Sequence, residues 1–331
     1  MRDREPSGGG VLAFGRHIGL MALATAVAIV MSACTGANAP IATPTPSEAM
    51  EASPTAAGRV VVDALPPNKA SAATVLLDVP SLIIDPGVDS ELIAPESFIV
   101  DGERIILTDL AHNRISTYEG NHLVGSVPIP EELLGPVGNG IYDLAITGDR
   151  YWFLDDDNRV LEYQLNNSGN RLEWVKTKNT NLNDAPGQLV TQGESVVLIS
   201  ADHNVLVSGP GPAPASLTYT VSKKERLLHV HDGNLRIDIH VPYPNSFMGL
   251  VAREPGLNYY LVSSGHYTKK GWIYYQYVYQ FTNTGQLLHT YTLRLNWGHQ
   301  PSQTVRVYDG NIYQLQVPPT TARVLQLHPN P

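Results

Sequence analysis

The chain has 331 residues, 43% of them hydrophobic and only 16% charged, with a formal net charge of -9 at neutral pH. That apolar content supports a sizeable core and excludes disorder along the whole length. The acidic balance disfavours any role that depends on neutralising phosphates, so nucleic acid is not an expected partner.

The chain opens with Arg2, Arg4 and Arg16 against Asp3 and Glu5, followed by an apolar stretch from Ile18 to Val30. A basic start and an apolar run too short for a comfortable bilayer span form the pattern of an export signal, here residues 1–33. The run ends in Met31-Ser32-Ala33-Cys34. This resembles the lipobox of bacterial lipoproteins, with Met31 where leucine is commonest. The resemblance implies cleavage between Ala33 and Cys34, diacylglycerol on the Cys34 thiol and a further acyl chain such as palmitate on its amine. The expected location is therefore the bacterial cell envelope, outside the cytoplasm, with the membrane as a partner through the lipid anchor. One acyl chain alone binds only marginally, whereas several anchor firmly. Cleavage without lipidation, or an uncleaved anchor, is the alternative. Cys34 is the single cysteine, so neither a disulfide framework nor a thiolate metal site can support the rest of the chain.

From the lipidated cysteine to residue 73 the sequence is rich in Ala, Pro, Thr and Ser, as in Thr43-Pro44-Thr45-Pro46. Such a segment buries too little apolar surface to offset its ordering entropy, and residues 34–73 are expected to be a disordered tether. Val60-Val61-Val62 could form a short strand, but a sticky patch on a solvated tether is the expected state.

Residues 74–331 read as one all-β domain: short β-branched and aromatic runs broken by Gly, Asn, Asp and Pro, with no long amphipathic helix. A repeat is visible. Gly102-Glu103-Arg104-Ile105-Ile106-Leu107-Thr108-Asp109 aligns with Gly148-Asp149-Arg150-Tyr151-Trp152-Phe153-Leu154-Asp155, and Asn113-Arg114-Ile115 with Asn158-Arg159-Val160. A third copy starts at Gly193, and weaker ones at Gly256 and Gly310. Four strands per unit of ~40–45 residues is the arithmetic of a propeller blade, which cannot bury both faces alone.

These motifs are similar to the NHL and YWTD-type six-bladed β-propeller repeats, in which an aspartate ends the second strand and an Asn-Arg pair opens the third. The resemblance implies blades near 96–130, 139–180, 186–222, 223–243, 247–296 and 302–329, with Thr74–Val79 as the fourth strand of the last blade. Five blades with an insertion at 209–215 is the alternative. The Asp and Asn-Arg positions are expected to bond turn backbone and to pair between strands rather than to do chemistry.

Candidate chemistry is sparse. His229 and His231 lie two apart on a strand, on one face, and could share a metal ion, with His240 on the next strand. Glu96, Asp143 and Glu254 stand near blade starts and could offer oxygen ligands to calcium or another divalent metal, as in propeller lactonases. No nucleophile elbow or phosphate-cradling loop occurs. The densest aromatic stretch is Tyr259 to Phe281, where alternation puts Tyr275, Tyr277, Tyr279 and Phe281 on one strand face. With the loop around His266, the residues His266, Tyr267, Trp272, Tyr275 and Tyr277 form a candidate binding surface. The expectation is a monomeric, noncatalytic, membrane-anchored propeller that needs no cofactor and binds a protein or glycan at the cell surface. A metal-assisted lyase or lactonase with its site at the central channel is the alternative.

Overall fold

The computed structural model describes residues 60–63, 70–84, 93–134, 140–180, 182, 187–192, 194–200, 204–210, 216–269, 271–294 and 301–330. The signal segment, the lipobox with Ala33 and Cys34, and the insertion at 211–215 lie outside these residues. Among the described residues the architecture is all-β: strands with three single-turn 3-10 helices. No helix there is long and apolar enough to cross a membrane.

The strands are numbered along the chain. The first two are β1 (Val60–Val62) and β2 (Ala73–Val79). Six sheets then follow in chain order. The first holds β3 (Phe98–Asp101), β4 (Arg104–Asp109), β5 (Arg114–Glu119) and β6 (His122–Pro128). The second holds β7 (Ile141–Thr147), β8 (Arg150–Asp155), β9 (Arg159–Leu165) and β10 (Leu172–Asn179). The third has β11 (Gln188–Gln192), β12 (Ser195–Ile199) and β13 (Val205–Ser208). The fourth has β14 (Thr218–Ser222), β15 (Leu227–Asp232) and β16 (Leu235–His240), with β1 added. The fifth is β17 (Asn245–Glu254), β18 (Leu257–Thr268), β19 (Gly271–Thr282) and β20 (Leu287–Thr292). The sixth is β21 (Val305–Tyr308), β22 (Asn311–Gln316) and β23 (Ala322–Leu327), with β2 pairing antiparallel to β23.

Two sequence expectations are corrected here. Val60–Val62 is not a free stretch of tether: it pairs in parallel with Ile237–Ile239 on β16, and Val62 is buried. Three β-branched residues facing an otherwise open strand edge gain ladder hydrogen bonds and apolar contact that a solvated linker lacks. Thr218–Ser222 does not complete the third sheet either. A four-residue turn folds it onto Leu227–His231, so the local hairpin decides its sheet and the third sheet has three strands among the described residues.

The repeated Asp and Asn-Arg positions act as turn clamps. Asp109 ends β4 and accepts from the Arg114 Nε (2.9 Å) and the Ser116 hydroxyl (3.0 Å). Asp155 accepts from the amides of Asp157 and Arg159 (3.1 and 2.7 Å) and from the Arg159 Nε (2.7 Å). Asn113 and Asn158 both take φ near +55°, 52° and 57° respectively, the left-handed geometry that asparagine tolerates better than most residues. Their side chains therefore follow from the turn, not from a ligand.

Each sheet buries a face against a neighbour. Ile115 with Phe153 joins the first sheet to the second, and Trp152 and Leu154 with Leu198 join the second to the third. One larger cluster runs from Val197 through Leu228 and Tyr260 to Val307, from the third sheet to the sixth, and Leu315 and Val324 pack with Phe98 and Leu107 of the first.

Candidate functional site

Two polar assemblies stand out from this apolar framework. The first lies where β3, β7, β11 and β21 begin. Asp143 is fully buried, and Arg306 is 3% exposed. The Asp143 carboxylate takes the Arg306 guanidinium, the Ser97 hydroxyl (2.6 Å) and the amides of Leu144 and Leu189 (2.7 and 2.6 Å). Arg306 also donates its Nε to the Phe98 carbonyl (2.8 Å). Burial pushes the Asp143 carboxyl up, and the guanidinium, the hydroxyl and the two amides oppose that shift. A carboxylate this well supplied with donors is a clasp between four sheets.

The other two carboxylates considered as cation ligands are committed elsewhere. Glu96 accepts from the Ser302 amide and hydroxyl (2.7 and 2.8 Å). Glu254 accepts from the Tyr259 hydroxyl (2.7 Å) and the Gly310 amide (3.0 Å). The three do not form one ligand set. Among the described residues, the single group of three or more potential metal ligands within 4.8 Å of one another is Asp155, Asp156 and Asp157, and Asp155 is the turn clamp described above. His229 and His231 share a face of β15 as expected from spacing, but His229 Nδ1 lies 2.8 Å from Asp238 Oδ1 on β16 while His231 is exposed opposite Arg236.

The second assembly is on the fifth sheet. β18 and β19 have 12 residues each, while second strands elsewhere have five or six. At ~3.3 Å per residue the hairpin is roughly twice as long as its counterparts. Because Glu254, the last residue of β17, bonds the Gly310 turn that follows β21, these two strands end side by side and start at the same end. The extra length of the hairpin extends past that end, beyond Asn245, which pairs with Gly265.

Register sets which hairpin residues converge. Val262 pairs with Tyr277, Ser264 with Tyr275 and His266 with Ile273, so these share one face. Onto that face folds Tyr243 from the link between β16 and β17. Its ring stacks on His266 (4.1 Å between centroids, 23° between planes) and lies nearly parallel to Tyr275 (5.7 Å, 18°). The hydroxyls of Ser246 and Ser264, 2.9 Å apart, fix the backbone of Tyr243: its amide donates to Ser264 (3.1 Å) and its carbonyl accepts from Ser246 (2.8 Å). Tyr277 sits beneath, fully buried. Burial, with the Tyr243 and Tyr275 phenols nearby, pushes the Tyr277 phenol well up, so it remains protonated.

The expected binding surface is thus split by the pleat. His266, Tyr275 and Tyr277 come together, whereas Tyr267 pairs with Trp272 one step out of phase, on the other face; Tyr267 is 78% exposed. Sequence reasoning missed Tyr243, Ser246 and Ser264. The usable signal was Pro242-Tyr243-Pro244: flanking prolines preset the backbone of a link and leave the tyrosine few alternatives.

No protein family is matched by the sequence, and no curated protein matches it. Among solved structures, the glutaminyl cyclase of Myxococcus xanthus is similar with a TM-score of 0.38 and 10% identity, over 83% of this chain and 100% of that one. A likeness so slight assigns neither fold family nor activity.

Proposed function

We propose that the chain is a lipid-anchored β-propeller of six blades, held to the outer side of a bacterial membrane through Cys34, that binds a protein or carbohydrate through the end carrying the long hairpin. Six sheets whose apolar clusters link neighbours in chain order, and the sixth to the first, support the ring, with β2 from the N-terminal side completing the last blade. The basic start, the apolar run and Ala33-Cys34 support the anchor.

The observation that carries the binding role is the hairpin itself: 12-residue strands that outrun the rest of the fold and bear Tyr267 exposed on one face and the Tyr243, His266 and Tyr275 stack on the other. Aromatic side chains offer apolar area with a polar handle at low entropic cost, and single anchors of this kind dominate recognition. A lactonase or lyase reading gains no support from Glu96, Asp143 and Glu254, each taken up by separate donors.

Two measurements test this. Replacing Cys34→Ala should move the protein from the membrane fraction to the soluble one and remove the acyl mass from its N-terminal peptide. A photoreactive amino acid at Tyr267 in living cells should give adducts that the same group at Glu103, on the turn after β3, does not. Equal labelling at both positions, or none, refutes a binding role for the hairpin.

A further inference from the structure

The hairpin of β18 and β19 differs from the rest of the chain in charge as well as in length. Against a formal net charge of -9, no Asp or Glu occurs between Glu254 and Asp309. The two residues that join the hairpin strands are Lys269 and Lys270. Beyond Asn245, whose partner is Gly265, three pairs continue the ladder: His266 with Ile273, Tyr267 with Trp272 and Thr268 with Gly271. At ~3.4 Å per pair the tip stands roughly 10 Å clear of the strand beside it. Tyr267 and Lys269 are both exposed there. An acidic protein thus projects an aromatic ring and a cation together, on a hairpin that carries no acid to neutralise them.

We propose that this tip docks on the headgroup layer of an anionic bilayer, an inference that goes beyond the binding role above and rests on the anchor assigned there to Cys34. Shape argues for a surface that yields. A two-stranded end is convex, whereas small ligands take concave sites and a stable protein interface needs about 800 Å² from each partner. A lipid interface accepts a narrow wedge, and interfacial segments sink only about 5–10 Å into it. Tyrosine favours that level, where its ring meets hydrocarbon and its hydroxyl meets water. Lysine keeps its ammonium among the headgroups, and anionic lipids attract it. Reach is no obstacle: the chain from Thr35 to Arg59, roughly 25 residues at about 3.4 Å each, extends by up to ~85 Å. A body of this size is roughly 50 Å across, so that length lets any side face the bilayer and leaves the choice to surface chemistry. Because the anchor already holds the body near the membrane, a contact too weak to recruit a free protein suffices to orient a tethered one.

The test uses the intact acylated protein, reconstituted into vesicles of phosphatidylglycerol or of phosphatidylcholine and recovered by flotation. With the Cys34 thiol taken by lipid, a nitroxide attaches only at an introduced thiol: Thr268→Cys at the tip, or Glu103→Cys on the turn after β3 as reference. Collision with a water-soluble nickel chelate then reads immersion. On phosphatidylglycerol the label at position 268 should be shielded severalfold relative to position 103, and on phosphatidylcholine the two should be alike. Lys269→Glu should lower the immersed fraction about fivefold or more, and Tyr267→Ala should lower it as well. Both side chains are exposed, so neither change should alter the melting temperature. Equal exposure of positions 268 and 103 on phosphatidylglycerol, equal shielding on both lipids, or indifference to both substitutions overturns the assignment. A photoreactive group at position 267 in cells should give lipid adducts; protein adducts without them sink the tip contact and leave the wider binding role standing. Protein that floats with the vesicles but keeps its tip in water loses the tip contact alone, whereas protein that does not float loses the anchor too.

Discussion

At the scale of single residues, the most consequential group is Asp143, whose carboxylate joins β7 to residues of three other sheets. A buried ion pair is weak evidence for stability as a whole, because desolvation consumes much of the attraction, but removing one partner leaves the other charge unpaired. Asp143→Ala should therefore cost about 3–5 kcal/mol in urea unfolding. Replacing both partners, Asp143→Leu with Arg306→Met, should recover much of that loss; a double variant as unstable as the single one would show that shape and not charge governs the site. Asn113 makes a smaller point. Its φ of 52° admits glycine without strain, so Asn113→Gly should be nearly neutral, while Asn113→Val should destabilise by roughly 1–2 kcal/mol. Equal effects of the two in thermal melts would refute the turn-clamp account. Asp109, Asn113, Arg114, Asp155 and Arg159 were legible in the sequence because their spacing is local. Asp143, Ser97 and Arg306 were not legible as partners, since 163 residues separate Asp143 from Arg306 and no periodicity records a contact of that range.

At the scale of elements, β2 shows how an edge is tied. Asp78 on β2 accepts from the Thr321 hydroxyl and from the Arg323 Nε (2.9 Å) on β23. The Thr321 hydroxyl foremost, with the Arg323 guanidinium, holds the Asp78 carboxyl below the usual carboxylate range against the opposing effect of burial. A carboxyl whose native value is lowered contributes stability that is fully present above its unfolded value and fades as the pH falls through the native one. Amide exchange along β2 and β23 should therefore quicken as the pH drops below the ordinary aspartate range, after correction for intrinsic rates. Asp78→Asn should abolish that dependence; a slope that survives the substitution would assign it to another group. The long hairpin was half legible: its aromatic alternation gave the faces of Tyr275 and Tyr277 correctly, but Tyr267 and Trp272 were grouped with them by proximity in sequence, which the two-residue period of a strand forbids. The fourth sheet was the least legible, because one of its strands, β1, comes from more than 150 residues upstream of its partner β16.

At the scale of the molecule, composition and strand patterning sufficed for the all-β class, while the allotment of strands to sheets depended on contacts between the N-terminal segment and distant edges. Leu77 is fully buried among residues of the sixth and first sheets. Leu77→Asp should abolish cooperative unfolding of the entire domain, because it inserts an unpaired charge where the sixth sheet packs on the first. Val62→Asp places the same charge in a three-residue strand and should loosen β1 and the edge of β16 while the main transition persists. Equivalent collapse in both variants would show that β1 is as integral as β2. The difference can be read by calorimetry, as one lost transition against a small shift in melting temperature.

The path of the N-terminal segment has a mechanical corollary. After leaving β16 at Val62, the chain docks Ser71 on Thr292 of β20 and only then enters the sixth sheet as β2. A tug delivered from upstream meets the shortest attachment before the longer one. The three-residue strand can peel away while the seven-residue grip of β2 stays engaged. The three-residue pairing of β1 is thus the first contact of the described body to bear a load applied from the N-terminal side.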